Sequence, residues 1–157
     1  MGANRIDRVF MKHKPYYTLI ETKIGKDPAV VVVNSALRTF DGRHSFPWHL
    51  RVSIDCKLLG LNGMPAPEEV QILNRFEDEI SGLLEADENA IFLARITARG
   101  QRILLYRIHN PEAANATLQA FVAQKPSREW DFIMEHDSDW DLAQPELRLL
   151  ERDPKFN

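Results

Sequence analysis

Apolar and polar positions alternate most regularly between Trp48 and Lys57. There Trp48, Leu50, Val52, Ile54 and Cys56 fall on one face and His49, Arg51, Ser53, Asp55 and Lys57 on the other. A period of two is that of a strand with one buried face. Further along, two β-type runs between Glu88 and Asn110 flank a turn at Arg99-Gly100-Gln101 and predict a β-hairpin. Gly100 supplies the positive φ of a tight turn, either as the second residue of a type I′ pair or as the first of a type II′ pair, and both registers stay open. In either one Phe92, Ala94, Ile96, Ala98, Ile103 and Leu105 share a face, while Arg95, Thr97, Arg102, Leu104 and Tyr106 share the other.

The spacing changes to three and four between these strands. Leu73, Phe76, Ile80, Leu83 and Leu84 form one stripe, so a helix is predicted from Pro67 to about Glu85, with Glu68 and Glu69 favourable at the positive end of its dipole. Asn110-Pro111-Glu112 is a helix start, Ala114, Leu118, Phe121 and Val122 are the next stripe, and Lys125-Pro126 ends it. Residues 129–136 read as a last strand with Trp130, Phe132 and Met134 on one face. Residues 140–151 read as a helix broken or restarted at Pro145. At the other end, Tyr16 to Ile24 suits a strand, Gly25 to Pro28 a turn, and Ala29 to Leu37 a second strand buried on both faces. Residues 1–15 are expected to be a loosely held arm of a single domain spanning 1–157.

From Trp48 onward the order is strand, helix, strand, strand, helix, strand. This predicts an α+β fold on the ferredoxin-like βαββαβ plan, an antiparallel sheet preceded by an N-terminal β-hairpin and followed by a C-terminal helix. Right-handed crossovers place both long helices on one side of the sheet. The other side stays open unless the hairpin, the last helix or a second subunit covers it.

Composition narrows the function classes. The chain has 157 residues, 44% of them hydrophobic and 27% charged, enough for one core. A net charge of -3 and a pI near 6.0 argue against a general nucleic-acid coat. No apolar run approaches the roughly 20 residues of a membrane span. The charged N-terminus has no apolar signal segment, and Ile6 stands where a myristoylation site has Ser or Thr. With Cys56 as its one cysteine the chain forms no internal disulfide, and a cytoplasmic location is expected.

Leu61-Asn-Gly-Met-Pro65, followed by Glu68-Glu69, Leu73 and Phe76-Glu-Asp-Glu-Ile80, resembles the family known as domain of unknown function 695. Phe46-Pro47-Trp48, the Thr97-Ala-Arg-Gly-Gln-Arg-Ile103 hairpin and Asp137-Ser-Asp-Trp140 are similar to it too. The likeness runs from about Tyr16 to Trp140. It implies a small intracellular α+β domain and no particular reaction. A fainter likeness, chiefly Asp137-Ser-Asp-Trp140, is to the protein inhibitor of ribonuclease E, a regulator that works by binding. That group ends in Tyr-x-x-Leu-Tyr-Pro, where this chain has Leu142 and Pro145-Glu-Leu147.

Four places could carry chemistry. His136, Asp137, Asp139 and Asp141 are the densest set of metal-ligand types. A calcium loop would need Gly where Leu142 stands and Glu where Arg148 stands, so a helix cap with Trp140 packed beneath is the simpler expectation. Cys56 falls on the apolar strand face with His49 opposite, which suits a structural thiol rather than a nucleophile. Glu77, Asp78 and Glu79 read as a solvated helix shoulder before they read as an acid/base pair. The fourth place is the polar sheet face. His49, Arg51, Lys57, Arg95, Arg102 and Tyr106 are expected to project together from the uncovered side, as a surface for a protein partner or a second copy. Single-stranded RNA ranks behind, because the aromatic RNA-recognition consensus is missing from the hairpin. A non-enzymatic interaction module is expected, with no cofactor and no membrane.

Overall fold

The computed structural model describes residues 14–152. Six strands, β1 (Tyr17–Ile24), β2 (Asp27–Asn34), β3 (Trp48–Asp55), β4 (Ala90–Ala98), β5 (Gln101–Ile108) and β6 (Trp130–His136), join in one sheet of order β1-β2-β4-β5-β3-β6. Every neighbouring pair is antiparallel. Three α-helices accompany the sheet, α1 (Pro67–Leu84), α2 (Pro111–Ala123) and α3 (Gln144–Leu149), so the fold class is α+β. Most of the expected arm lies outside the described residues.

Local chemistry explains the element ends. α1 begins at Pro67, whose missing N–H costs nothing in a first turn, with Glu68 and Glu69 beside it. α2 is capped by Asn110, whose Oδ1 accepts from the N–H groups of Glu112 and Ala113 at 3.0 and 3.2 Å. In the β4–β5 turn Arg99 and Gly100 both have positive φ, +54° and +75°, the geometry of a type I′ turn. The β1–β2 turn is shorter than the sequence suggests. Strand pairing already includes Ile24 with Asp27, so Gly25 and Lys26 alone make the turn.

Each side of the sheet has its own core. α1 and α2 bring Leu73, Phe76, Ile80, Leu118 and Phe121 onto Leu50, Val52, Ile54, Leu104 and Tyr106. On the opposite side Val31, Val33, Ile91, Leu93 and Leu105 pack against Leu37, Phe46, Trp140, Leu147 and Leu150, contributed by the 3-10 turn Ser35–Thr39, the stretch just before β3 and the chain beyond β6. The far side is thus covered in part by the C-terminal segment. That segment is a 3-10 turn at Asp141–Ala143, then α3 with Pro145 in its first turn, then a last 3-10 turn at Leu150–Arg152.

Three expectations need correction. The pairing register shifts between Phe92 and Ala94, so Leu93 is an extra residue in β4 and Phe92 joins Leu104 and Tyr106 on the helix side rather than Ala94 and Ile96. β2 is not buried on both faces, since Val30 and Val32 are half-exposed where α1 does not reach, and it ends at Asn34. Leu83 and Val122, placed on the buried stripes by their spacing, are 44% and 46% exposed.

Candidate functional site

The register divides the six residues expected to share a surface. Arg102 pairs across from Ile54, Tyr106 from Leu50, and Arg95 shares the face of Leu104. These three therefore point toward the helices. Arg95 donates to both Glu77 oxygens at 3.1 and 3.2 Å. Arg102 is 4% exposed and donates to Asn74 Oδ1 at 2.6 Å and to Thr97 Oγ1 at 3.3 Å. The Tyr106 hydroxyl lies 2.6 Å from Ser81 Oγ, and burial raises its pKa. Glu77 is thus an ion-pair partner, while Asp78 and Glu79 are exposed. Lys57 sits in the exposed loop beyond β3, where its backbone N–H donates to Glu69 Oε2 at 2.9 Å. Only His49, itself buried, and the exposed Arg51 lie on the open side. A joint basic face does not exist because two of its three arginines are used to seat α1.

The His136–Asp141 segment is a structural joint. Asp137 Oδ1 accepts from Asp141 N–H at 3.1 Å and Oδ2 from Leu142 N–H at 3.0 Å, capping the turn into α3. The same carboxylate receives Arg107 Nη1 at 2.8 Å. Burial would raise the Asp137 pKa, but the Arg107 bond and the two N–H groups outweigh it and hold the carboxyl low. Trp140 is fully buried in the left-handed conformation, and its indole N–H donates to the carbonyls of Arg43 and Phe46. His136 meets the edge of Trp48 with ring centroids 5.0 Å apart, and Asp139 and Asp141 are exposed. Among the described residues no group of three or more His, Cys, Asp or Glu is placed to hold a metal ion.

Arg107 is the centre of this joint, and the periodicity did not mark it. Its side chain is completely buried, lies 4.4 Å over the Trp140 ring, and donates to the Phe46 and Asp137 carbonyls as well as to the Asp137 carboxylate. Arg107 Nη1 also lies 3.2 Å from His49 Nδ1. A guanidinium has no acceptor, so Nδ1 carries the lone pair and His49 is the neutral Nε2–H tautomer. Desolvation, then the Arg107 charge, push the His49 pKa down to about 4. A second buried pair, Arg128 with Glu69, ties the loop before β6 to the first turn of α1. Arg128 Nε reaches Glu69 Oε2 at 2.7 Å, and that bond chiefly holds the carboxyl low. Cys56 lies half-buried against the helix-side core, and burial raises its pKa. The signal for both pairs was a charged residue at a position whose strand or helix neighbours turn inward.

A groove of about 670 Å³ lies on the side away from α1 and α2, between β3, β6 and the start of α3. Arg51 and Ser53 form its floor, the alternate β6 residues Asp131, Ile133 and Glu135 one wall, and Leu142 and Glu146 the other. Ile133 is 59% exposed and Leu142 39%. Burial pushes the Glu146 pKa up to about 7 against the opposing pull of Arg51. Asp131 and Glu135 face one arginine, and Glu146, held partly protonated by its burial, adds to them, so the groove is acidic and apolar rather than basic.

Comparison with protein families matches the Family of unknown function (DUF695) over residues 17–144. The chain belongs to that family. Neither the curated proteins nor the solved structures give a match. The stretches that resemble DUF695 mostly make the internal joints described above. Gly100 N–H donates to Gly63 O at 2.8 Å and Cys56 N–H to Gly100 O at 2.9 Å, so the Asn62-Gly63 loop closes on the β4–β5 turn. Arg99 in that turn reaches back to Asp27 and to the Ile24 carbonyl, both at 2.9 Å. Phe46-Pro47 and Asp137-Ser-Asp-Trp140 meet through the Asp137 N–H to Pro47 O bond of 2.7 Å. No helix among the described residues is long and apolar enough to cross a membrane.

Proposed function

We propose that the chain is a cytoplasmic, non-enzymatic interaction or regulatory module that binds a protein partner through the open side of its sheet. The reading takes the ferredoxin-like βαββαβ plan, enlarged by the β1–β2 hairpin, as its scaffold. One observation carries it: Ile133 and Leu142 stand exposed on opposite walls of a groove whose Arg51, Asp131, Glu135 and Glu146 form no ion pair within 4 Å among the described residues, whereas the charged residues under α1 and behind Trp140 are held in bonds. Exposed apolar residues flanked by charge are how docking surfaces differ from ordinary solvent-facing strands. The RNA alternative loses its support, since Arg95 and Arg102 face the helices and the open side carries more carboxylates than cations.

The test is capture of binding proteins from native extract by the intact chain and by four single variants. Ile133→Glu and Leu142→Glu alter the groove, and Leu83→Glu and Val122→Glu alter exposed positions on the helices. Loss of the captured set in the first two and its retention in the second two is expected. The reverse pattern would move the binding surface to the helices.

A further inference from the structure

The groove has a sheet edge for one wall, and that edge specifies a partner. β6 is the last strand of the sheet and pairs only with β3, in an unbroken register from Trp48↔His136 to Ile54↔Trp130. Its outer backbone groups have no strand beside them among the described residues. Edge strands of soluble proteins are usually blunted by a bulge, a proline or charged side chains, lysine above all. β6 has no bulge, proline or lysine, and the charges on its exposed face are the carboxylates of Asp131 and Glu135, which repel another acidic strand and attract a basic one. Instead Trp130, Phe132 and Met134 anchor it to the helix-side core, and Asp131, Ile133 and Glu135 stand exposed toward the groove. Neither Asp131 nor Glu135 forms an ion pair within 4 Å among the described residues, and Glu146 adds a third carboxylate across the groove. The opposite edge differs. β1 has Glu21 and Lys23 two positions apart on one face, so its charges offset one another.

We propose that β6 accepts an extended segment of a partner protein as a seventh strand, and that this segment carries basic, apolar and basic side chains at alternate positions. Backbone pairing with the free edge sets the segment's pleat. Residues directly opposite on neighbouring strands have Cβ atoms about 4.5–5.5 Å apart, so cations meet Asp131 and Glu135 while an apolar side chain meets Ile133. The acid, apolar, acid order reads the same in both directions, so either strand orientation satisfies it. This inference rests on the open-side reading above and adds the chemistry of the occupant.

The probe is a nine-residue peptide, Thr-Val-Lys-Thr-Ile-Thr-Arg-Val-Thr, titrated into the 15N-labelled full chain. A second peptide has Glu in place of the Lys and Arg. Saturable shifts confined to residues 130–136 and the facing groove, weakened by salt and at least tenfold weaker for the acidic peptide, are expected. In the Asp131→Lys/Glu135→Lys variant, whose changes lie at exposed positions, the order of the two peptides should reverse. No shift up to millimolar peptide, shifts centred on β1 or the helices, or equal response to both peptides would overturn the proposal. So would concentration-dependent shifts in β6 without peptide, which would seat a second copy there. If the peptide fails while capture still depends on Ile133, the segment chemistry falls and the open-side reading stands; if both fail, both fall.

Discussion

Arg107 and Asp137 meet at 2.8 Å with the arginine side chain fully buried, and through this contact the strand β5 holds the chain that leaves β6. The arginine also lies over Trp140 and hydrogen-bonds His49, so four residues from three separate stretches of sequence are bound into one joint. Removing one partner of such a pair leaves a charge in a place that little water reaches. Arg107→Met is expected to cost about 3–5 kcal/mol in urea unfolding. Arg99→Ala, which breaks an ion pair more than half exposed on both sides, should cost under about 1 kcal/mol. Similar losses for the two would refute the joint.

Arg102 and Arg51 make a similar contrast on the two sides of the sheet. Arg102→Ala empties a buried site bonded to Asn74 and Thr97 and should destabilise by about 1–3 kcal/mol. Arg51→Ala should change stability by no more than about 0.5 kcal/mol, because its side chain is exposed and makes no hydrogen bond or ion pair among the described residues. Chemical denaturation of both variants decides it.

His49 and Glu146 act on stability in opposite senses. His49 has a folded pKa of about 4, below its unfolded value of about 6.5, so its contribution is full above that value and is lost as pH falls toward 4. Glu146 has a folded pKa of about 7, above its unfolded value of about 4.3, so its contribution is full below that value and is lost as pH rises toward 7. The two slopes offset each other between roughly pH 4.5 and 6.5. Glu146→Gln removes one of them, so relative to the unaltered chain it should gain about 1–2 kcal/mol between pH 4.5 and 7.5, allowing for partial exposure. Urea midpoints at three pH values measure this; a constant difference would show that Glu146 is not desolvated.

Two glycines test the backbone. Gly63 has φ of +76°, and a Cβ there would stand 3.3 Å from Arg99 Cα, so Gly63→Ala should cost about 1–2 kcal/mol and loosen the loop on the β4–β5 turn. Gly82 is helical with nothing within 4 Å of an added Cβ, so Gly82→Ala should stabilise by about 0.5–1 kcal/mol. Thermal unfolding of the pair should move Tm in opposite directions.

Strand and helix placement was legible because period two and period 3.6 are local properties, and Pro67, Asn110 and Gly100 mark their own turns. Facing was not. One extra residue at Leu93 rotates half of β4, and alternation alone cannot register a bulge. The site misassignment followed from a different cause. Arg95, Arg102 and Tyr106 look solvent-facing by residue type, yet Glu77, Asn74 and Ser81 on α1 receive them, and which helix residues meet which strand residues is fixed by tertiary packing. Arg107 was missed for the same reason, since its partners lie about 30 and 60 residues away along the chain. A cap at Asp137 or Asp139 with Trp140 packed beneath, by contrast, was readable from ordinary capping preference, and Asp137 is the one that makes it.

The proposed binding takes place on the side of the sheet away from α1 and α2. Its most direct test is a photo-crosslinking amino acid placed singly at position 133 on β6 and at position 122 on α2, with the intact chain irradiated in native extract. A discrete higher-mass adduct from position 133 and none from position 122 is the predicted result. An adduct from position 122 alone, or equal yields from both, would contradict it.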